Sequence, residues 1–224
     1  MVDGPAARRR GGAAPTRLRP AREERRAEIV QAAMQVFGSK GYHAGSLADV
    51  AEQVGITQAG VLHHFGSKDL LLQEVLRLRD RIDVADVEGH HMPGGRGMFS
   101  HLERTAEKNA RRRGVVQAYT VLTAEAVTDG HSASDWARER FAVLRAEIVT
   151  ALRDAAADGG GPTPSEERLS HAASSVIGVM DGLQIQWLLD PDAVDLSAAT
   201  AFAIDAVLAT VLDRPGPTVR LDVD

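Results

Sequence analysis

The chain contains 224 residues, of which 44% are hydrophobic and 25% charged, as in an ordinary globular protein. It has no cysteine, which excludes disulfide frameworks, cysteine-ligated zinc, iron–sulfur clusters and thiol catalysis. No apolar run approaches the roughly 20 residues of a membrane-spanning helix, and the Arg-rich N-terminus lacks the apolar segment of a secretory signal. We therefore expect a cytoplasmic protein that does not associate with membranes.

The charges are distributed unevenly around a net charge of −5. Residues 1–45 hold nine Lys and Arg against four Asp and Glu, whereas residues 84–224 hold 13 against 21. A basic head on an acidic body suggests that the head alone meets a polyanion. On charge alone, a disordered tail that happens to be basic explains the pattern equally well.

The N-terminal part of the chain begins with residues 1–20, which are rich in Arg, Gly and Pro and are predicted to be a disordered basic tail. Apolar residues then recur at helical spacing and predict a helix over roughly 21–38. Gly38 and Gly41 are expected to end this helix.

Three shorter helices are predicted next, each introduced by a hydroxyl residue. Ser46 begins the first, and Asp49 three residues later completes a pattern like a capping box. Gly55 interrupts the chain before Thr57, which can cap the second helix, and Ser67 can cap the third.

The remainder of the chain continues as longer helical patterns separated by Gly and Pro breaks. No sustained alternation of apolar and polar residues predicts a strand, so the fold class is all-α, with about nine helices. The division is a helix-turn-helix domain over 21–83 and a helical domain over 84–224. The longer helices are predicted near 98–112, 115–129, 134–157, 166–189 and 196–213.

Ser46 to Leu72 carries the functional information. Two short helices joined by a Gly-bearing turn must cross steeply, as in a helix-turn-helix. Their apolar residues form one shared core: Leu47, Val50, Ala51, Val54, Ile56, Val61 and Phe65. The residues left facing outward are Thr57, Gln58, Ala59, Gly60, His63 and His64.

The outward side chains suit a duplex surface. Gln58 can hydrogen-bond a base edge, and His63 and His64 can reach phosphates or bases. Ser46 lies, like Thr57, at a helix N-terminus, where backbone N–H groups favour a phosphate. Lys68 opposes the dipole of its own helix, so we expect it to face an external anion. Short crossed helices also occur in unrelated all-α proteins, which leaves a purely structural role open.

The same segment resembles the N-terminal DNA-binding domain of the TetR family of transcriptional regulators. The resemblance extends from about Glu28 to Glu74 and includes Phe37 and Gly41-Tyr42. Its most specific pieces are Asp49-Val50-Ala51, Gly55-Ile56-Thr57, His64-Phe65 and Gly66-Ser67-Lys68.

The resemblance implies a homodimeric regulator, most often a repressor, that places its third helix in the major groove of a palindromic operator. Ser46, Thr57, His64 and Lys68 match positions that contact phosphates in the family. Gln58, Ala59, Gly60 and His63 match positions that meet bases or the adjacent backbone. Leu62 departs from the pattern, because the family often has a phosphate-binding Tyr there.

The C-terminal two-thirds resemble the family's ligand-binding half only in layout. An effector pocket is expected between the helices of 84–157 and the penultimate helix, and its apolar inventory predicts a small, mainly apolar, uncharged ligand. Simple core packing is the alternative for each candidate. The pocket candidates are Met98, Phe99, Tyr119, Thr123, Met180, Gln184 and Trp187.

The last two predicted helices are expected to pair with their copies in a four-helix dimer interface, because both carry small residues at helical spacing. Packing within the chain is again the alternative. The interface candidates are Ala172, Ala173, Val176, Val179, Ala203, Ala206, Val207 and Thr210.

Other functions are less well supported by the sequence. His90, His91 and His101 have no acidic partner at ligand spacing, so we interpret them as loop and surface residues and expect no metal or other cofactor. No nucleophile elbow, phosphate-binding loop or zinc-binding helix motif is present, and we do not expect an enzyme. An architectural DNA-binding protein without a ligand remains as a further hypothesis, although about 140 residues exceed what dimerisation requires.

Overall fold

The computed structural model describes residues 18–85, 92–160 and 163–212. Within these ranges the regular elements are all helices, which confirms the predicted all-α fold. The helices are α1 (Leu18–Ala44), α2 (Leu47–Gln53), α3 (Gln58–Phe65), α4 (Lys68–Val84), α5 (Arg96–Asn109), α6 (Arg113–Glu125), α7 (Ser134–Asp158), α8 (Glu166–Leu189) and α9 (Leu196–Leu212).

The short helices begin where their capping residues predict. The Ser46 side chain accepts from the Asp49 backbone N–H, and Asp49 accepts in return from the Ser46 N–H, which completes the capping box. Thr57 and Ser67 accept from backbone N–H groups three residues on, at Gly60 and Leu70. Each cap satisfies a backbone donor that a helix start leaves unpaired.

The first helix is longer than the sequence predicts, for a tertiary reason. It begins at Leu18, and residues 1–17 of the predicted tail lie outside the described residues. Gly38 does not end the helix, because α6 crosses α1 there: a Cβ on Gly38 would lie 2.9 Å from the Ala118 Cα. The prediction that Gly38 ends α1 is therefore wrong, and its lack of a side chain serves close helix packing instead.

Two large apolar clusters organise the packing, and a smaller third one surrounds Trp187. The first joins α1–α4 to α6 and the start of α7 around Phe37, Leu71, Leu72 and Leu122, which are almost fully buried. The second joins α5, α7, α8 and α9 around Ile148 and other apolar residues. Burial of each large side chain contributes roughly 1.5–3 kcal/mol relative to exposure. No helix in the described ranges is long and apolar enough to cross a membrane.

The junction between the N-terminal helices and the C-terminal helices is built on a backbone bend at Gly41. Gly41 has φ 76° and ψ 169°, which interrupts the helical conformation of α1. The bend presents the Tyr42 N–H to the Glu125 carboxylate at the end of α6, at 2.7 Å. The positive φ favours glycine at this position, and a Cβ on Gly41 would push the Glu125 carboxylate away from the Tyr42 N–H.

We predict that Gly41→Ala lowers the free energy of unfolding by about 1–3 kcal/mol, because the residue would be held in a conformation that L side chains rarely adopt. Gly114→Ala is the matched control, since Gly114 lies in α6 and an added Cβ meets nothing within 4 Å. Denaturant unfolding of both variants provides the measurement. Equal stability of Gly41→Ala and Gly114→Ala would refute the role assigned to the bend.

Candidate DNA-binding surface and effector cavity

The helix-turn-helix is held together by the shared core that the sequence predicts. Val50, Ala51, Val61 and Phe65 are buried, and Leu47, Val54 and Ile56 pack against them. Gly55 turns the chain between α2 and α3 with φ 68°. The Ile56 N–H donates to the Ala51 carbonyl at 3.0 Å, which fixes the start of α3 against α2.

The outward face of α3 leaves most of the predicted contact residues accessible. Thr57, Gln58, Ala59 and His63 are exposed, and Gly60 is half-buried. A side chain on Gly60 would meet its nearest atom, the Thr57 Oγ1, at 3.5 Å. The protein's own packing therefore does not require glycine here, while its small size leaves room for close approach to a groove.

His64 differs from the rest of this face because it is half-buried in the last turn of α3. Burial lowers the pKa of His64 below its ordinary value, and repulsion from His63, Arg22 and Arg26 lowers it further. In the unbound protein, His64 is therefore more readily neutral than an exposed histidine. Leu62, which departs from the pattern that the segment resembles, is exposed.

Three of the four predicted phosphate-contacting residues already have side-chain partners within the chain: Thr57, whose hydroxyl accepts from the Gly60 N–H at 3.1 Å, and Ser46 and Lys68. The Ser46 hydroxyl donates to Asp49 at 2.7 Å, and Lys40 pairs with Asp49 at the same distance. The Lys68 ammonium lies 4.4 Å from the centre of the Tyr42 ring and donates to the His43 carbonyl at 3.5 Å. Contact of Lys68 with a phosphate stays a prediction that requires it to extend from this position.

Arg26 is a positioning residue that the sequence analysis missed. Its guanidinium donates to the His64 carbonyl at 2.9 Å and lies 4.3 Å from the centre of the Phe65 ring. It also pairs with Glu74 on α4 at 3.4 Å. Because the carbonyls at a helix C-terminus lack partners within the helix, Arg26 ties the end of α3 to α1. Its spacing of three residues from Ile29 is the sequence signal that places it on the same face of α1 as the core.

A partly enclosed cavity lies among α4–α8 and has a volume of about 40 Å³. Three of the predicted pocket residues line it, namely Tyr119, Met180 and Gln184. The other four do not. Met98 and Phe99 belong to the core around Ile148. The Trp187 side chain packs with Val116 and Leu196, and Thr123 is half-buried outside the lining of this cavity.

The cavity wall contradicts the expectation of an apolar, uncharged pocket. Arg79 and Asp83 of α4 and Arg140 of α7 line it together with Asp181 of α8. The sequence analysis missed these residues because they come from three helices, and only Arg79 and Asp83, four residues apart, could have suggested a pair. His101 also lines the cavity and is buried, so its interpretation as a surface residue is wrong. His90 and His91 lie outside the described residues.

Tyr119 is the centre of this charged wall. Its hydroxyl donates to the Asp181 carboxylate at 3.1 Å, and the Arg79 and Arg140 guanidinium groups lie 4.1 and 5.4 Å from its ring centre. Burial raises the pKa of Tyr119 to about 12. Burial also raises the pKa of Asp181, although the Tyr119 hydrogen bond and both arginines oppose this rise.

The predicted interface residues divide between the protein core and the surface. Ala172, Ala173 and Val176 are buried inside the chain, so they offer no free surface to a partner, and their assignment is corrected to core packing. The remaining candidates keep some exposure: Val179, Ala206 and Thr210 are exposed, and Ala203 and Val207 are half-buried.

Larger apolar residues that the sequence analysis missed dominate the free surface of α8 and α9. Phe202 is 78% exposed, Leu189 81% and Ile185 47%. Gly178 and Gly182 precede Ile185 and Leu189 on one stripe of α8, and an added Cβ on either glycine meets nothing within 4 Å. This combination of small and large apolar residues suits another helix packed closely against the stripe.

Comparison with known proteins connects both parts of this fold to one family. A family model described as bacterial regulatory proteins of the tetR family matches residues 29–75. A second model, described as the C-terminal part of BetI-type transcriptional repressors, matches residues 99–213, which is more than half of the chain.

Curated relatives of the whole chain are transcriptional regulators. The HTH-type transcriptional regulator TtgR of Pseudomonas putida is 28% identical over 218 residues, covering 88% of this chain and 95% of TtgR. The HTH-type transcriptional regulator BetI of Rhizobium meliloti is 28% identical over 195 residues, covering 83% of this chain and 88% of BetI. These matches are to regulators and not to enzymes, which confirms the expectation that the chain is not an enzyme.

Solved structures share the fold at lower sequence identity. The chain superposes with a TM-score of 0.66 on SmeT, the repressor of the Stenotrophomonas maltophilia multidrug efflux pump SmeDEF, at 18% identity, covering 87% of this chain and 93% of SmeT. Tylp, a tetr regulator from Streptomyces fradiae, gives a TM-score of 0.63 at 23% identity, covering 85% of this chain and 87% of that one. With both halves of the chain matched by family models, the protein belongs to the TetR family of transcriptional regulators.

Proposed function

We propose that this protein is a repressor that binds a palindromic DNA operator as a homodimer and is released when a small molecule enters the cavity around Tyr119. The observation that carries the proposal is the outward face of α3, where Gln58, Ala59 and His63 are exposed. The helix itself is held at its start by α2 and at its end by Arg26 of α1. Family membership supports operator binding and an effector, since relatives of this chain are regulators and mostly repressors.

In this proposal the DNA-binding domain covers residues 21–83, and residues 84–224 form the dimer and most of the effector cavity, to which Arg79 and Asp83 of the first domain also contribute. Thr57, His64, Lys68 and the N-terminus of α2 at Ser46 would contact phosphates. Gln58 would contact a base edge, with Ala59, Gly60 and His63 beside it. A ligand-independent architectural role is less well supported, because such a role gives no reason for the protein to keep buried polar groups around a cavity.

We predict steep salt dependence of operator binding. Among the candidate phosphate contacts, Lys68 and protonated His64 are cationic, and these two of each protomer, doubled in a dimer, give a slope of log K against log salt near about −3.5. Fluorescence anisotropy with a selected palindromic duplex and a scrambled duplex provides the measurement. A slope near zero, or equal affinity for both duplexes, would contradict the proposal.

We predict that Phe202→Arg disrupts the dimer, because the substitution would bury an unpaired charge between copies of α8 and α9. The dimer dissociation constant should rise by about 100-fold or more. Val127→Arg is the control, since Val127 is 84% exposed outside these helices. Sedimentation that finds Phe202→Arg as fully dimeric as Val127→Arg would exclude this interface.

We predict that Arg26→Met lowers operator affinity by about 10-fold, because the end of α3 loses the guanidinium that holds it. Methionine keeps an apolar stem over Phe65. Arg77→Met is the matched control, since Arg77 pairs with the same Glu74 at 2.5 Å but is more exposed and does not reach α3. Operator affinity that falls equally in both variants would assign the effect to Glu74 rather than to α3.

We predict that operator affinity rises as pH falls, through protonation of His64. A neighbouring phosphate raises the pKa of His64 in the complex above its value in the free protein, so binding takes up a proton. The gain is absent above the pKa in the complex and complete below the pKa in the free protein. Because burial lowers the free value below 6.5, the rise should continue below pH 6.5.

The pH prediction is checked by operator affinity at fixed ionic strength for the native protein, His63→Gln and His64→Gln. The dependence should persist in His63→Gln and disappear in His64→Gln. A native affinity that does not change with pH, or a dependence that survives in His64→Gln, would refute the assignment.

A further inference from the structure

The charges around Tyr119 do not balance. Arg79 pairs with Asp83 at 2.6 Å. Arg140 pairs with Asp80 at 2.8 Å and with Asp83 at 3.2 Å. Two guanidinium groups and two carboxylates thus neutralise each other, and Asp181 adds a fifth charge that is negative.

Asp181 accepts few hydrogen bonds for a half-buried carboxylate. The Tyr119 hydroxyl lies 3.1 and 3.3 Å from its two oxygens, and no ion pair to Asp181 is present among the described residues. An ionised carboxylate can accept about four hydrogen bonds. Asp181 therefore retains accepting capacity beside the cavity that it lines.

Gln184 places a second acceptor on the same side of the cavity. It follows Asp181 by three residues on α8, so the two side chains are neighbours on one helix face. Gln184 is only 6% exposed, and its Oε1 has no hydrogen-bond partner in the part of the chain that the structure describes. A buried acceptor without a partner costs free energy that a ligand N–H group would recover.

Taking the proposed function as its basis, we propose that this cavity binds the ammonium group of a primary or secondary alkylamine, with Asp181 and Gln184 accepting hydrogen bonds from its N–H groups. The ammonium supplies the one positive charge that the cluster of Arg79, Arg140, Asp80, Asp83 and Asp181 lacks. Its N–H groups can donate to both Asp181 and Gln184, whereas a quaternary ammonium has no N–H group.

The same charge count disfavours an anion. The Nε atoms of Arg79 and Arg140 are also buried and have no hydrogen-bond partner among the residues that the structure describes, so an anion would be drawn to them. Both guanidinium groups are already paired with carboxylates, however, and the cluster that an anion would join is negative once Asp80, which pairs with Arg140 from outside the cavity lining, is counted. A neutral alcohol could donate one hydrogen bond but would leave that charge uncompensated.

The volume of the cavity limits what it holds in this conformation. About 40 Å³ is room for about three waters, each of which needs roughly 10–15 Å³ on this measure, so the cavity admits the head group but no long alkyl tail. An alkyl tail requires Met92 and Met180 to move, and both line the cavity. Methionine side chains adapt readily, and a ligand that needs the widened state shifts the protein toward it.

The test compares four probes of equal chain length by calorimetry on the full chain without DNA: hexylammonium, hexanol, hexanoate and hexyltrimethylammonium. Hexylammonium should bind most tightly. Asp181→Asn should weaken its binding by about 10-fold or more, as expected for loss of a charged hydrogen-bond partner. Asp205→Asn makes the same charge change on the exposed face of α9 and should leave binding unaltered. Retained hexanol binding by Asp181→Asn would verify that its cavity is intact.

The inference is overturned if hexylammonium does not bind, if hexanoate or hexyltrimethylammonium binds as tightly, or if Asp181→Asn binds hexylammonium like the native protein. Operator affinity measured separately distinguishes this failure from failure of the proposed function. An operator complex that is released by other small molecules, without ammonium binding, would leave the proposed function standing. Ammonium binding that leaves operator affinity unchanged would support the site and contradict effector-driven release.

Discussion

Tyr42 connects α1 to α6 through its backbone N–H and to α4 through its hydroxyl. Its backbone N–H is accepted by Glu125 at the end of α6, and its hydroxyl donates to Asp69 at the start of α4, at 2.6 Å. Ser132, just before α7, donates to the same Asp69 oxygen. Because α1 and α4 support the helix-turn-helix, the orientation of α3 relative to the C-terminal helices depends on these contacts. Charge-assisted hydrogen bonds of this kind are about twice as strong as neutral ones.

The Tyr42 junction and the cavity share α4 as a rigid link. Asp69 lies in the first turn of α4, whereas Arg79 and Asp83 lie near its far end and face Tyr119. Widening of the cavity would displace the far end of α4 and so strain the hydrogen bonds that Tyr42 and Ser132 donate to Asp69. This continuous helix physically connects the proposed ammonium site to α3. Coupling along it requires that the junction have two arrangements, one of which the ligand stabilises.

Local features of this fold were predictable from the sequence, and long-range contacts were not. Ser46, Thr57 and Ser67 were identified as caps because an N-cap hydrogen bond spans only three residues. Gly38 was misplaced as a helix end because its packing partner, Ala118, is 80 residues away in the chain. For the same reason Ala172 and Val176 were assigned to a surface: small residues at helical spacing suit both a core and an interface, and only the position of α9 decides between them.

The candidate site shows the same difference between local features and long-range contacts. The outward face of α3 followed from periodicity and the motif, since both lie within one short segment. The charged wall of the cavity did not, because Arg140 and Asp83 are 57 residues apart and meet only in the folded chain. Single charged residues on amphipathic helices are usually solvated, so nothing in the local sequence distinguishes these from surface residues.

The most direct test of the account is the distance between the two helix-turn-helix units of the dimer, measured by pulsed electron paramagnetic resonance. The chain has no cysteine, so Glu52→Cys on the exposed side of α2 introduces one spin label per protomer. We expect a single narrow distance distribution, which broadens when Tyr42→Phe and Glu125→Ala remove both hydrogen bonds of the Tyr42 junction and narrows again on the operator. Absence of a dipolar signal, or equally narrow distributions with and without the junction, would contradict the account.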